Sequence, residues 1–211
     1  VSTSTTAGRV RSTPDEVHER ILETADRLFY AEGVHAVGID RIIAEAGVAK
    51  ASLYGHFSTK SDLVAAYLRR RSQRSGERLR ETLGGLPAGA ARDRVLVIME
   101  DLWAWLHEDT FRGCPFINAT AEYADPDHPV RREVAAHRRA FVALLHEQVS
   151  DRPDADLLAA ALALIYDGTL VAAQVDGAVA AERTSRHLVG TLLDHDGATQ
   201  DVHVSRSGER A

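Results

Sequence analysis

Lys50 and Lys60 are the only lysines in a chain of 211 residues that carries 25 basic side chains, and Ser52, Tyr54 and His56 lie between them. Ammonium, hydroxyl and imidazole groups crowded into one short stretch suit phosphate neutralisation and hydrogen bonding to base edges. They do not suit bond breaking. The 10 histidines show neither HxxxH nor HExxH spacing. The single cysteine, Cys114, has no evident histidine partner, and no GxSxG, phosphate loop or dinucleotide fingerprint occurs. An enzyme is therefore not expected, and neither is a cofactor or a metal, although His128, His137 and His146 are the histidines to watch for convergence in space.

The elements that must position the cluster are legible around it. Ile39, Ile42, Ile43 and Ala46 recur at helical spacing, and Gly47 then stands where a helix stops by visiting positive φ. A second short helix follows, with Val48 and Leu53 turned to a core and Lys50, Ala51, Ser52, Tyr54 and His56 on its remaining surface. Thr59 and Asp62 make a capping-box-like start for a third helix, which puts Lys60 beside a helix N-terminus suited to a phosphate. Before the motif, Val17, Ile21, Ala25, Leu28 and Phe29 keep one helical face, and Glu32-Gly33 closes it. Two helices joined by a tight turn, with the second standing proud, fit the DNA major groove.

The run AGVAKASLYGHFSTKSDL, and more broadly residues 16–68, resembles the DNA-binding domain of the TetR family of one-component bacterial repressors. That resemblance implies an all-α chain with an N-terminal three-helix helix-turn-helix domain and a larger C-terminal helical domain for ligand binding and dimerisation. It places Lys50, Ala51 and Ser52 at the front of a recognition helix, Tyr54 and His56 on the phosphate backbone, and Lys60 as a phosphate clamp. Physical chemistry agrees: among them Lys50 has the reach and charge for a guanine edge, and the Ala51 methyl suits a thymine methyl. The chain departs from the family at Val37, Gly38 and Ala49, where hydroxyl residues are usual. Arg41, or an N-terminal arm with Arg9 and Arg11, is expected to supply the lost backbone contact.

Charge is unevenly spread along the chain. Residues 1–74 hold 11 basic and 9 acidic side chains, whereas the whole chain has 25 and 31, for a net charge of −6. A mildly basic head on an acidic body remains compatible with DNA. The expected division is an arm at 1–14, the helix-turn-helix domain at 15–60, the helical body at 61–195 and a disordered tail at 196–211. The polar, Ser/Thr-rich stretch at 1–13 lacks an apolar leader, residues 157–173 look too interrupted by Asp167, Gly168 and Thr169 to span a bilayer, and one cysteine fits a reducing compartment, so a cytoplasmic protein is expected.

The body reads as further helices. One is expected at about 91–107, with Val95, Ile98, Leu102, Trp105 and Leu106 on its core face and Trp103 off it; a short one at 117–123; one at 130–149; and a last pair at 155–180 and 182–195. Arg69, Arg70, Arg71 and Arg74 read as a solvated face. The apolar set Leu157, Leu158, Ala161, Leu162, Leu164, Ile165 and Leu170 covers more circumference than one core face needs, which asks for a partner helix. By the resemblance the last pair forms a four-helix bundle in a homodimer that reads a palindromic double-stranded operator. A small, largely apolar effector is expected between the middle helices, against Trp103, His107, Phe111, Cys114, Phe116, Asn118, Glu122, Tyr123, Tyr166 and Gln174. Three alternatives stand beside this reading: a thiol sensor at Cys114, a small-molecule binding protein whose helix-turn-helix has lost DNA, and an activator in place of a repressor.

Overall fold

The computed structural model describes residues 13–86 and 91–195. Arg9 and Arg11 of the arm, the tail at 196–211, and Pro87 and Gly89 of the expected break lie outside the described residues. All regular elements among the described residues are α-helices: α1 (Pro14–Glu32), α2 (Ile39–Ala46), α3 (Lys50–His56), α4 (Lys60–Gly84), α5 (Ala91–Leu106), α6 (Pro115–Glu122), α7 (Pro129–Gln148), α8 (Ala155–Val175) and α9 (Ala178–Asp194). They cluster in two compact units, one of residues 1–78 and 112–138 and the other of 79–111 and 139–211. The division is not linear in sequence, because α6 and the start of α7 group with the N-terminal helices.

In the first unit, α1 starts with a full capping box. Thr13 Oγ1 accepts the Glu16 N–H, and Glu16 accepts the Thr13 N–H at 2.9 Å. The apolar face of α1 buries Ile21, Leu22, Ala25, Leu28 and Phe29, and α2 and α3 pack against it through Ile42, Ala46 and the fully buried Leu53. Gly47 takes φ +63°, a left-handed turn that lets α3 leave α2 at once. Thr59 and Asp62 cap α4 reciprocally at 2.9 and 3.1 Å, as their spacing predicted.

The second unit is built on α8 and α9, with α5 against both. Its core includes Val95, Ile98, Met99, Leu102, Leu106, Leu162, Leu170 and Val189. Trp103 belongs to that core at 2% exposure, contrary to expectation, while Trp105 is only half-buried. The buried face runs from Met99 to Trp103, one turn apart, and the indole N–H is satisfied by Ser185 Oγ at 2.8 Å, so burying it leaves no unpaired donor.

Three further expectations are corrected. The break between the last two helices falls at Asp176-Gly177, where Gly177 has φ +92°, and not near residue 181. That Asp-Gly pair is a turn signal, and an alanine-rich sequence on both sides masks it. Asp167, Gly168 and Thr169 do not interrupt α8, whose length and composition alone would suffice to cross a membrane. Arg70 and Arg71 are not a solvated face: their side chains are 11% and 24% exposed, with Arg70 paired to Glu19 at 2.8 Å and Arg71 to Asp26 at 2.5 Å.

Candidate nucleic-acid interface

The outer surface of α3 is where the cluster ends up. Leu53 points into the core, and Lys50, Ala51 and Tyr54 are exposed on the opposite side, Tyr54 to 45%. Ser52 is half-buried. Neither Gly38 before α2 nor Ala49 before α3 supplies a side-chain cap, as the missing hydroxyls predicted.

The cations differ in how they are held. Lys50 Nζ sits 3.2 Å from Asp40 Oδ1 in the first turn of α2. Arg41 donates to Glu32 at 2.8 Å and to Glu45 at 2.8 Å, and Glu45 also pairs with Arg27 at 2.5 Å. These hydrogen bonds raise the Arg41 pKa and lower those of Glu32 and Glu45. Arg41 thus belongs to a balanced two-arginine, two-glutamate network. Lys60 makes no ion pair among the described residues; partial burial lowers its pKa, and the nearby Glu122 charge opposes that shift. His56 is half-buried, its ring edge-on to His18 at 5.4 Å, while His18 stacks on Phe57 at 4.9 Å. Next to them opens a groove of about 860 Å³ in which Arg69, Arg70, Arg74 and Arg132 are matched by Glu19, Asp62, Glu77 and Glu133. Balanced charge gives it no preference for an anion.

The expected effector residues divide between the two units. Cys114, Phe116, Asn118, Glu122 and Tyr123 lie in the first unit; Trp103, His107, Phe111, Tyr166 and Gln174 lie in the second. Asn118 and Glu122 border a cavity of about 30 Å³, room for one water. Asn118 donates to the Arg112 carbonyl at 3.1 Å. Glu122 accepts from the backbone N–H groups of Val34 at 3.0 Å and His35 at 2.6 Å, so α6 is tied to the α1–α2 turn. At the other end of α6, the Tyr30 hydroxyl donates to the Gly113 carbonyl and accepts from the Arg112 N–H. Cys114, which immediately precedes α6, is buried. Phe116 stacks on His137 with centroids 3.5 Å apart, and Tyr123 stacks on His128 at 4.5 Å.

In the second unit, His107 pairs with Glu182 at 2.7 Å, Arg186 lies 3.8 Å over the Trp103 ring, Phe111 meets Trp105 edge-on and Tyr166 packs on Phe141 at 4.6 Å. Gln174 is exposed. Among the described residues no group of three or more His, Cys, Asp or Glu is arranged to hold a metal.

An unpartnered apolar stripe also lies on α8. Leu157, Leu164, Val171 and Val175 are 66%, 67%, 45% and 78% exposed, and their sevenfold and fourfold spacing puts them on one face. Val179 and Leu188 of α9 are also exposed, and a groove of about 410 Å³ runs between Leu164, Gly168, Ala172 and Leu188.

Sequence reasoning missed Asp40, Tyr30 and the structural use of Glu122. Asp40 stood ten residues from its partner with no periodic relation to it, and the other two act across long separations.

Residues 21–67 match the family model for bacterial regulatory proteins of the tetR family, and residues 91–189 match the tetracyclin repressor-like C-terminal domain. The crystal structure of SCO4454, a TetR-family transcriptional regulator from Streptomyces coelicolor, is 40% identical, covers 85% of this chain and 95% of its own, and superposes with a TM-score of 0.78. The transcriptional repressor NemR of Escherichia coli K12 is 27% identical over 142 residues, 67% of this chain and 71% of that protein. The transcriptional activator FasR of Mycolicibacterium smegmatis is 45% identical over 56 residues, 26% of each chain.

Proposed function

Because this chain belongs to the TetR family of helix-turn-helix transcriptional regulators, we propose that it represses transcription by binding a palindromic double-stranded operator as a homodimer, and that a small, largely apolar effector releases it. The observation that carries the DNA part is the outward face of α3, where Lys50, Ala51 and Tyr54 stand exposed on a helix whose Leu53 anchors it to the core. In this reading Lys50 takes a guanine edge and Ala51 a thymine methyl. Ser52, Tyr54, His56 and Lys60 hold phosphates, and Arg41 contributes only if its glutamates let go.

The apolar stripe on α8 with its neighbours on α9 supports the homodimer. A second copy would cover it, and a two-fold pair of α3 helices spaced about 34–36 Å or a multiple apart reads a palindrome. The stripe also accounts for the length and apolarity of α8 without a bilayer. The effector is assigned to the helical body, with Trp103, His107, Phe111, Cys114, Phe116, Asn118, Glu122, Tyr123, Tyr166 and Gln174 as the residues to vary, and it acts by favouring the DNA-incompatible arrangement of the dimer. Repression is favoured over activation because NemR, named a repressor, aligns over most of this chain, whereas FasR aligns over 56 residues only.

The test is retention of genomic DNA fragments by purified protein at near-physiological salt. One or a few palindromic sites should be recovered. Retention without sequence preference, or none, overturns the reading.

A further inference from the structure

We propose that Asp40 is a specificity-determining residue of this regulator, acting by holding the Lys50 ammonium at the DNA-facing surface. This rests on the DNA-binding reading above. Asp40 lies in the first turn of α2 and Lys50 opens α3, and their side chains meet at 3.2 Å while remaining 85% and 64% exposed. Arg41 is also held by carboxylates, but among the described residues Asp40 is the acid paired to Lys50, the side chain assigned to a base edge.

In water such an exposed pair contributes little, because solvent screens it. Its effect appears on docking, when the duplex displaces water and every charge contact strengthens. An ammonium has three N–H donors. If one stays on Asp40, two remain for O6 and N7 of one guanine, and a carboxylate beside the base edge can also accept from a cytosine amino group. On a wrong sequence Lys50 must turn to a phosphate instead, and Asp40 is then left facing the polyanion without its cation. The carboxylate thus weakens every mismatched complex more than the matched one, a use of repulsion to gain selectivity.

The experiment measures binding of wild type, Asp40→Asn, Lys50→Ala and the double variant to two probes. One is the palindromic duplex recovered from genomic DNA; the other is a scrambled duplex of the same composition. Each is titrated over a series of salt concentrations. Asp40→Asn should bind the scrambled duplex about 3–10-fold more tightly, lower the palindrome-to-scramble ratio about tenfold and steepen the salt slope by about one. In the Lys50→Ala background the same substitution should leave the ratio unchanged. Both positions are exposed, so melting temperatures should match wild type, and a purely structural role for Asp40 would not move the ratio.

A ratio in Asp40→Asn equal to that of wild type overturns the inference alone, as does an equal change with and without Lys50. A wild type with no preference between the probes overturns the DNA reading itself, and the inference with it.

Discussion

The Glu122 carboxylate accepts the backbone N–H of His35 at 2.6 Å, and its second oxygen takes the N–H of Val34 at 3.0 Å. The His35 ring adds an Nδ1 contact to the same carboxylate at 3.0 Å. A residue read from sequence as an effector ligand is therefore the tie between the end of α6 and the turn that leads into α2. Glu122 is 22% exposed, and hydrogen bonds to a charged acceptor contribute about 1.5–3 kcal/mol.

Glu122→Ala should therefore cost roughly 2–3 kcal/mol of stability, and Glu122→Gln less, since its amide oxygen keeps one acceptor. Urea unfolding followed by circular dichroism reads both. Wild-type stability in Glu122→Ala would mean that water replaces the carboxylate at no cost.

Lys50 and Lys60 should separate on DNA. Lys50→Ala is expected to lower preference for the operator by about 5–150-fold, the value of about 1–3 kcal/mol for a base contact. Lys60→Ala should weaken operator and scrambled duplex alike and reduce the salt slope by about one. Identical behaviour of the two variants would remove the distinction between base reader and phosphate clamp.

Leu164→Glu tests the apolar stripe. The side chain is 67% exposed in the single chain, so the fold should tolerate the charge, while a dimer burying it should not. Sedimentation velocity should show a folded monomer, with operator affinity sharply reduced. A dimer that persists at micromolar concentration places the interface elsewhere.

His137 should make stability pH-dependent. Its half-buried ring stacks on Phe116, with Ser72 Oγ 3.0 Å from Nδ1. Burial, assisted by the Arg138 charge, lowers its pKa from 6.5 to about 4. The unfolded chain takes up a proton as pH falls through 6.5, whereas the folded chain resists until about 4. The neutral ring's contribution is thus complete above 6.5 and lost between 6.5 and 4, a total of roughly 3 kcal/mol. The stability difference between wild type and His137→Gln should shrink over that window. A difference that is flat from pH 7 to 4.5 would refute it.

Much of the architecture was legible from local signals. Periodicity and Gly47 placed α2 and α3, and Thr59 and Asp62 announced the start of α4. These features depend on neighbours within a turn or two, where spacing fixes geometry. The break at Gly177 was missed because small residues on both sides blurred the periodicity, and Trp103 was misplaced because its burial depends on Ser185, far away in sequence.

The sequence by itself determined the fold class and the family, since the helix-turn-helix is a short-range pattern written in consecutive residues. Tertiary structure decided how the charges and the candidate ligands are used. Asp40 with Lys50, Glu32 with Arg41, Glu122 with Val34 and His35, and the stack of His137 on Phe116 are pairings between separate helices and turns. No spacing rule connects such positions; only packing, which brings distant side chains within hydrogen-bond reach and removes water from between them, selects which partners meet.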